Sequence, residues 1–99
     1  MKTVITENEE RLVVEFIGDF DSLASRDAER ELGPVFEHDC DVLIDCTQLN
    51  YVSSSGLRIF LSIYKHAHKN GKKVTIKGLN ASIEKVFRIS GFLQLFGQD

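Results

Sequence analysis

The 99-residue chain has no tryptophan, one proline, one methionine and two cysteines. Cys40 and Cys46 are too few for a disulfide framework and lack paired C-x-x-C spacing, so a reducing, cytoplasmic compartment is expected. Long apolar runs are also missing. The longest, at Leu12 to Val14, Val42 to Ile44 and Ile59 to Leu61, fall far short of the roughly 20 residues that span a bilayer. No membrane insertion and no leader segment are expected. The length excludes a catalytic domain joined to a substrate domain, and residues 1–99 read as one domain with a modest core.

Charge is plentiful but unevenly placed. The formal net charge is -3, from 12 Lys and Arg against 15 Asp and Glu. Residues 1–55 carry 13 acids and 4 bases, whereas residues 56–99 carry 2 acids and 8 bases. Most of the negative charge lies between Asp19 and Asp41. A continuous basic face under a positive total would mark a nucleic-acid binder, so no direct nucleic-acid partner is expected.

The hydrophobic pattern alternates between strand and helix. Thr3 to Glu7 and Arg11 to Gly18 read as a hairpin around Asn8-Glu9-Glu10, with Gly18 ending the second strand. Asp21 or Ser22 caps a helix running to Phe36, with Leu23, Ala24, Ala28, Leu32, Val35 and Phe36 on its apolar face and Gly33-Pro34 bending or interrupting it. Val42 to Ile44 reads as a strand buried on both sides. Gly56 to Lys69 is the clearest helix, with Leu57, Phe60, Leu61, Tyr64 and Ala67 at helical spacing, stopped by Asn70-Gly71. Lys73 to Lys77 is a further strand. Asn80 to Ser90 is a last helix with Ile83, Val86, Phe87 and Ile89 inward, and the tail from Phe92 to Phe96 is too apolar to be free. The expected fold is α/β, a four- to five-stranded mixed sheet with crossover connections and helices packed on it.

The most informative segment is Tyr51-Val52-Ser53-Ser54-Ser55-Gly56-Leu57, a loop entering the clearest helix. One serine oxygen can satisfy an unpaired N–H of the first turn, but three hydroxyls exceed what a cap needs. The helix N-terminus also welcomes negative charge, and a serine phosphorylated there gains roughly 1.5 to 2 charges and three acceptor oxygens.

Catalytic chemistries fit poorly. A serine-hydrolase elbow needs glycine two residues either side of its nucleophile, and Ser54 has Gly56 after it but Val52 before it. His66 and His68 are two apart on a helix and diverge, so they make poor joint metal ligands, while His38 lies in a separate segment. Cys46 reads as a small core residue. Gly71-Lys72 lacks the other residues of a phosphate-binding loop. No catalytic residue, metal or cofactor is assigned.

The order of elements, Gly18-Asp19-Phe20-Asp21, Val42-Leu43-Ile44-Asp45, Ser53 to Leu57 and the closing Ile89-Ser90-Gly91-Phe92 together resemble the STAS domain family. The resemblance covers nearly the whole chain and implies a mixed sheet with helices mainly on one side. It further implies an anti-sigma-factor antagonist that works by partner switching. In that scheme the unmodified domain binds an anti-sigma factor with serine kinase activity, phosphorylation releases it, and a phosphatase restores it. Carried over, the phosphoacceptor is Ser54, followed by Ser55, Gly56 and Leu57, and Asp21 lies on the partner-facing surface beside it. Where the family motif has aspartate before the acceptor, this chain has Ser53, which can cap a helix but supplies no charge. The alternative is an accessory subunit of a lipid-transport ATPase, or a stressosome-like scaffold component, that docks through the same loop without phosphorylation.

Overall fold

A computed structural model describes residues 1–98. Strand β1 (Lys2–Glu7) turns back antiparallel onto the long strand β2 (Arg11–Phe20). The turn is closed by the Asn8 side chain, which accepts the N–H groups of Glu10 and Arg11 at 3.0 and 2.8 Å. Helices α1 (Ser22–Glu31) and α2 (Gly33–Glu37) lead to strand β3 (Asp41–Asp45), and β4 (Leu49–Val52) precedes the 16-residue helix α3 (Ser54–Lys69). Strand β5 (Val74–Lys77), helix α4 (Ala81–Ile89), a single 3-10 turn (Phe92–Gln94) and β6 (Gly97–Gln98) complete the order.

The strand order β1-β2-β3-β5-β6 explains where the helices go. From β2 onward these neighbours pair parallel, and each crossover steps in the same direction across the sheet. Right-handed crossovers that all step one way place their helices on one face. That face carries Leu12, Val14 and Phe16 of β2, Val42 and Ile44 of β3, and Val74 and Ile76 of β5, all buried. Their register neighbours Val13, Leu43 and Thr75 point the other way. Leu43 is buried there too, matching the expectation of a strand buried on both sides.

Aromatic rings join the layers. Phe60 of α3 meets Phe16, Phe20, Phe87 and Phe96 at centroid separations of 5.4, 5.9, 5.1 and 6.5 Å. Phe96 is thus held in the core, as the apolar tail required.

Several expectations are corrected. Gly18, at φ 104°, does not end β2: the strand shifts register between Gly18 and Asp19 and continues to Phe20, pairing there with β4. Tyr51 and Val52, read as part of a loop, belong to strand β4. The Gly33-Pro34 pair interrupts the first helix, as expected, with Leu32 at the junction. Leu23 is 70% exposed, because the stripe that reaches the core is Ala24, Ala28 and Leu32 at four-residue spacing. On α4 the inward pair is Ile83 and Phe87, whereas Val86 and Ile89 are exposed. On α3, Ile59 and Ile63 are buried beside Phe60 and Ala67, and Leu61 is only half-buried.

Candidate functional site

The β4–α3 junction is locked to the start of α1. Strand β2 ends at Phe20, whose carbonyl accepts the N–H of Ser53 at 2.8 Å. Asp21 follows at once and caps α1, its Oδ1 accepting the N–H of Ala24 at 2.8 Å. Ser53 caps α3 in the same way, its Oγ accepting the N–H of Gly56 at 3.0 Å. Two helix N-termini therefore emerge side by side, and Ser55 Oγ donates to Ser22 Oγ across them at 3.3 Å.

The three serines have separate environments. Ser53 is buried, engaged by the cap and by Ser55 Oγ at 3.1 Å. Ser55 is half-buried and bridges Ser53 to Ser22. Ser54 is the first residue of α3 and exposed, with no side-chain hydrogen bond among the described residues. Its hydroxyl is the one a macromolecular enzyme can reach without opening the helix.

Gly56 and Leu57 complete the turn. A Cβ at Gly56 would lie 2.9 Å from Val52 Cγ2 and 3.0 Å from Phe20 Cδ1, so a bare backbone lets α3 approach the sheet here. Leu57 is half-buried against the core. Of the residues singled out from the sequence, Asp21 and Ser54 face solvent, Ser55 does so in part, and Ser53 and Gly56 lie beneath them.

Other surface residues at this end were not among the site residues singled out from the sequence. Tyr51, 52% exposed, sits in register with Asp19, and Leu23 lines a cleft with Asp21, Asp27 and Glu31. Ser22 and Arg58 border the groove between α1 and α3. An exposed aromatic in a strand and an exposed leucine beside a helix cap cannot be told from core residues by pattern alone. The acidic stretch reaches the serine loop through Asp19 and Asp21.

Groups with shifted ionisation lie away from the loop, at the end of β3. Burial pushes the Cys46 thiol up to about 12, aided by the neighbouring Asp45 charge, which leaves it a neutral core thiol. Burial also acts to raise Asp45, but hydrogen bonds from the Thr47 hydroxyl and N–H and the Lys77 charge outweigh it and hold its carboxyl below the ordinary value. The histidines are dispersed. His66 Nε2 lies 3.1 Å from the His38 carbonyl, while the His68 ring stacks on Tyr64. Among the described residues no cluster of His, Cys, Asp or Glu could hold a metal ion.

This architecture is matched by the family profile of the STAS domain over residues 2–98. The chain belongs to the STAS domain family. Within known STAS proteins it is 25% identical over 87 residues to the anti-sigma-B factor antagonist of Bacillus subtilis (strain 168), covering 88% of this chain and 80% of that one. The solved structure of the anti-sigma factor antagonist SpoIIAA in its unphosphorylated form has a TM-score of 0.83 at 16% identity, covering 99% of this chain and 88% of that one. The phosphorylated form of the Bacillus cell fate determinant SpoIIAA has a TM-score of 0.77 at 15% identity, covering 99% and 91%. The mixed sheet with one helical layer is thus the STAS fold. Among the described residues, no helix of this STAS domain is long and apolar enough to cross a membrane.

Proposed function

We propose that this STAS domain is an anti-sigma-factor antagonist of the cytoplasm, a non-catalytic binding module switched by reversible phosphorylation of Ser54. Unmodified, it binds an anti-sigma factor with serine kinase activity through Asp21, Ser54 and Ser55, supported from beneath by Ser53, Gly56 and Leu57. The kinase transfers the γ-phosphoryl group of ATP to Ser54 Oγ, with ADP leaving and the hydroxyl proton passing to the kinase. The phosphorylated domain dissociates, and a phosphatase hydrolyses the ester.

The division of labour among the three serines carries this reading. The cap stays on Ser53 whether or not Ser54 is modified, so the helix survives while the surface beside Asp21 gains negative charge. Like charges brought together in an interface cost several kcal/mol, and about 2.7 kcal/mol is a hundredfold in affinity.

Incubation with the cognate kinase and ATP, followed by mass spectrometry, should show one phosphate on the wild type and none on Ser54→Ala. Phosphorylation persisting in the variant would overturn the assignment. Calorimetry should show the phosphorylated domain binding on the order of a hundredfold more weakly. A docking role without modification, on a lipid-transport ATPase or a stressosome-like scaffold, would leave the two affinities equal.

A further inference from the structure

The groove between α1 and α3 holds two arginines for which the switch as described has no use. It encloses about 540 Å³, and Arg26 of α1 and Arg58 of α3 line it together with Ser22, Ser55 and Glu29. Both arginines are exposed, and among the described residues neither forms an ion pair. Arg58 stands four residues after Ser54 on the same helix. In an α-helix that spacing is about 6 Å along the axis and about 40° around it, so the two share a stripe. Helical side chains lean toward the N-terminus, which carries the Arg58 guanidinium back over the first turn. The Gly56 N–H is taken by Ser53 Oγ and the Leu57 N–H by the Ser53 carbonyl, so neither amide is free to meet a phosphate on Ser54.

Resting on Ser54 as the phosphoacceptor, the geometry points to an intramolecular phosphate clamp in which Arg58, with Arg26 across the groove, receives the phosphoryl group of phosphorylated Ser54. A guanidinium presents a planar fork that fits two phosphate oxygens, and the helix dipole adds to the attraction. Phosphorylation then does two things at once. It fills the space beside Asp21, and it withdraws Arg58 from the surface open to a partner. An aspartate carboxylate, attached directly to Cβ without the ester oxygen of phosphoserine, is shorter and singly charged, so Ser54→Asp engages Arg58 poorly and is a weaker switch than the phosphate.

The test places phosphoserine at position 54 during translation, so its outcome does not depend on any kinase. The second phosphate ionisation, ordinarily near pH ~6, is followed by phosphorus NMR against pH. A nearby guanidinium favours the dianion and lowers this value, whereas Asp21 at the α1 cap and Glu29 in the groove act to raise it. Replacing Arg58 by Gln should therefore raise it by about half a unit or more, Arg58→Lys should restore part of the difference, and Arg26→Gln should have a smaller effect. An unchanged titration in both Arg58→Gln and the Arg26→Gln/Arg58→Gln double variant would overturn the clamp. Failure of the kinase to modify Ser54 would overturn the proposed function and leave this result standing.

Discussion

Ser53 is the residue at which the chain departs from the family motif, and its placement shows what the motif position does physically. Its oxygen closes the first turn of α3 by accepting the Gly56 N–H, a task for which serine and aspartate serve about equally well. The structural half of the motif is therefore retained, while the carboxylate charge is not. Ser53→Ala should lower stability by about 1 kcal/mol, and Ser53→Asp should stay close to the wild type, both measured by urea denaturation. A neutral Ser53→Ala would mean that the cap contributes nothing. The unusual density of hydroxyls was legible in the sequence, but their division was not. Which of Ser53, Ser54 and Ser55 turns inward depends on the Phe20–Ser53 backbone bond, a contact between residues 33 positions apart.

At the scale of elements, the α3 N-terminus is set by how closely a helix can approach two strands. Gly56 lies against Val52 of β4 and Phe20 of β2, and neither neighbour can retreat from the packed core. Gly56→Ala improves intrinsic helix propensity by roughly 1 kcal/mol but overpacks this contact at a cost of typically 1–3 kcal/mol. A net loss of stability in thermal melts is expected, with the strain centred on the Ser54 turn. An unchanged or raised melting temperature would show that the approach is not tight. The elements that eluded sequence reasoning share one cause. Leu49 to Val52 is buried at its ends and exposed at Asn50 and Tyr51, so it lacks the period-two alternation that marks a strand. Leu23, Val86 and Ile89 are apolar yet outward, because the stripe on each helix that touches the sheet is narrower than its run of apolar residues. By contrast β3, β5 and the hairpin were legible because local pattern and burial agree in them.

Over the whole molecule, the division of charge along the chain is only partly kept in space, because Asp41 at the end of the acidic stretch accepts the Lys73 N–H at 2.9 Å and Asp39 lies 3.9 Å from His66. Helix α3 spans about 24 Å from the serine loop to Lys69. Asp19 and Asp21 stand near its first turn, while Lys69, Lys72 and Lys73 gather at and beyond its other end. The sequence pattern indicated the fold class because the passages from β2 to β3, from β3 to β5 and from β5 to β6 each run through a helix to a parallel strand. It could not indicate that the rings of Phe16, Phe20, Phe60, Phe87 and Phe96 converge, since these come from β2, α3, α4 and the closing segment, four parts far apart along the chain. Phe96→Ala should destabilise the fold by about 3–5 kcal/mol. Helix circular dichroism and tyrosine fluorescence should still lose signal in one coincident transition. Transitions that separate would show that the Phe96 segment is an appendage and not part of a shared core.

Phe96 also imposes a timing on synthesis. Its ring seals the space beside Phe60 and Phe87, and β6 just beyond it adds the last parallel pairing to β5. While residue 96 is still inside the ribosomal tunnel, the emerged helices have an open seam where that ring belongs. The loop bearing Ser54 is translated about forty residues earlier, and Phe60, six residues along the same helix, gains the last of its ring partners only when Phe96 arrives.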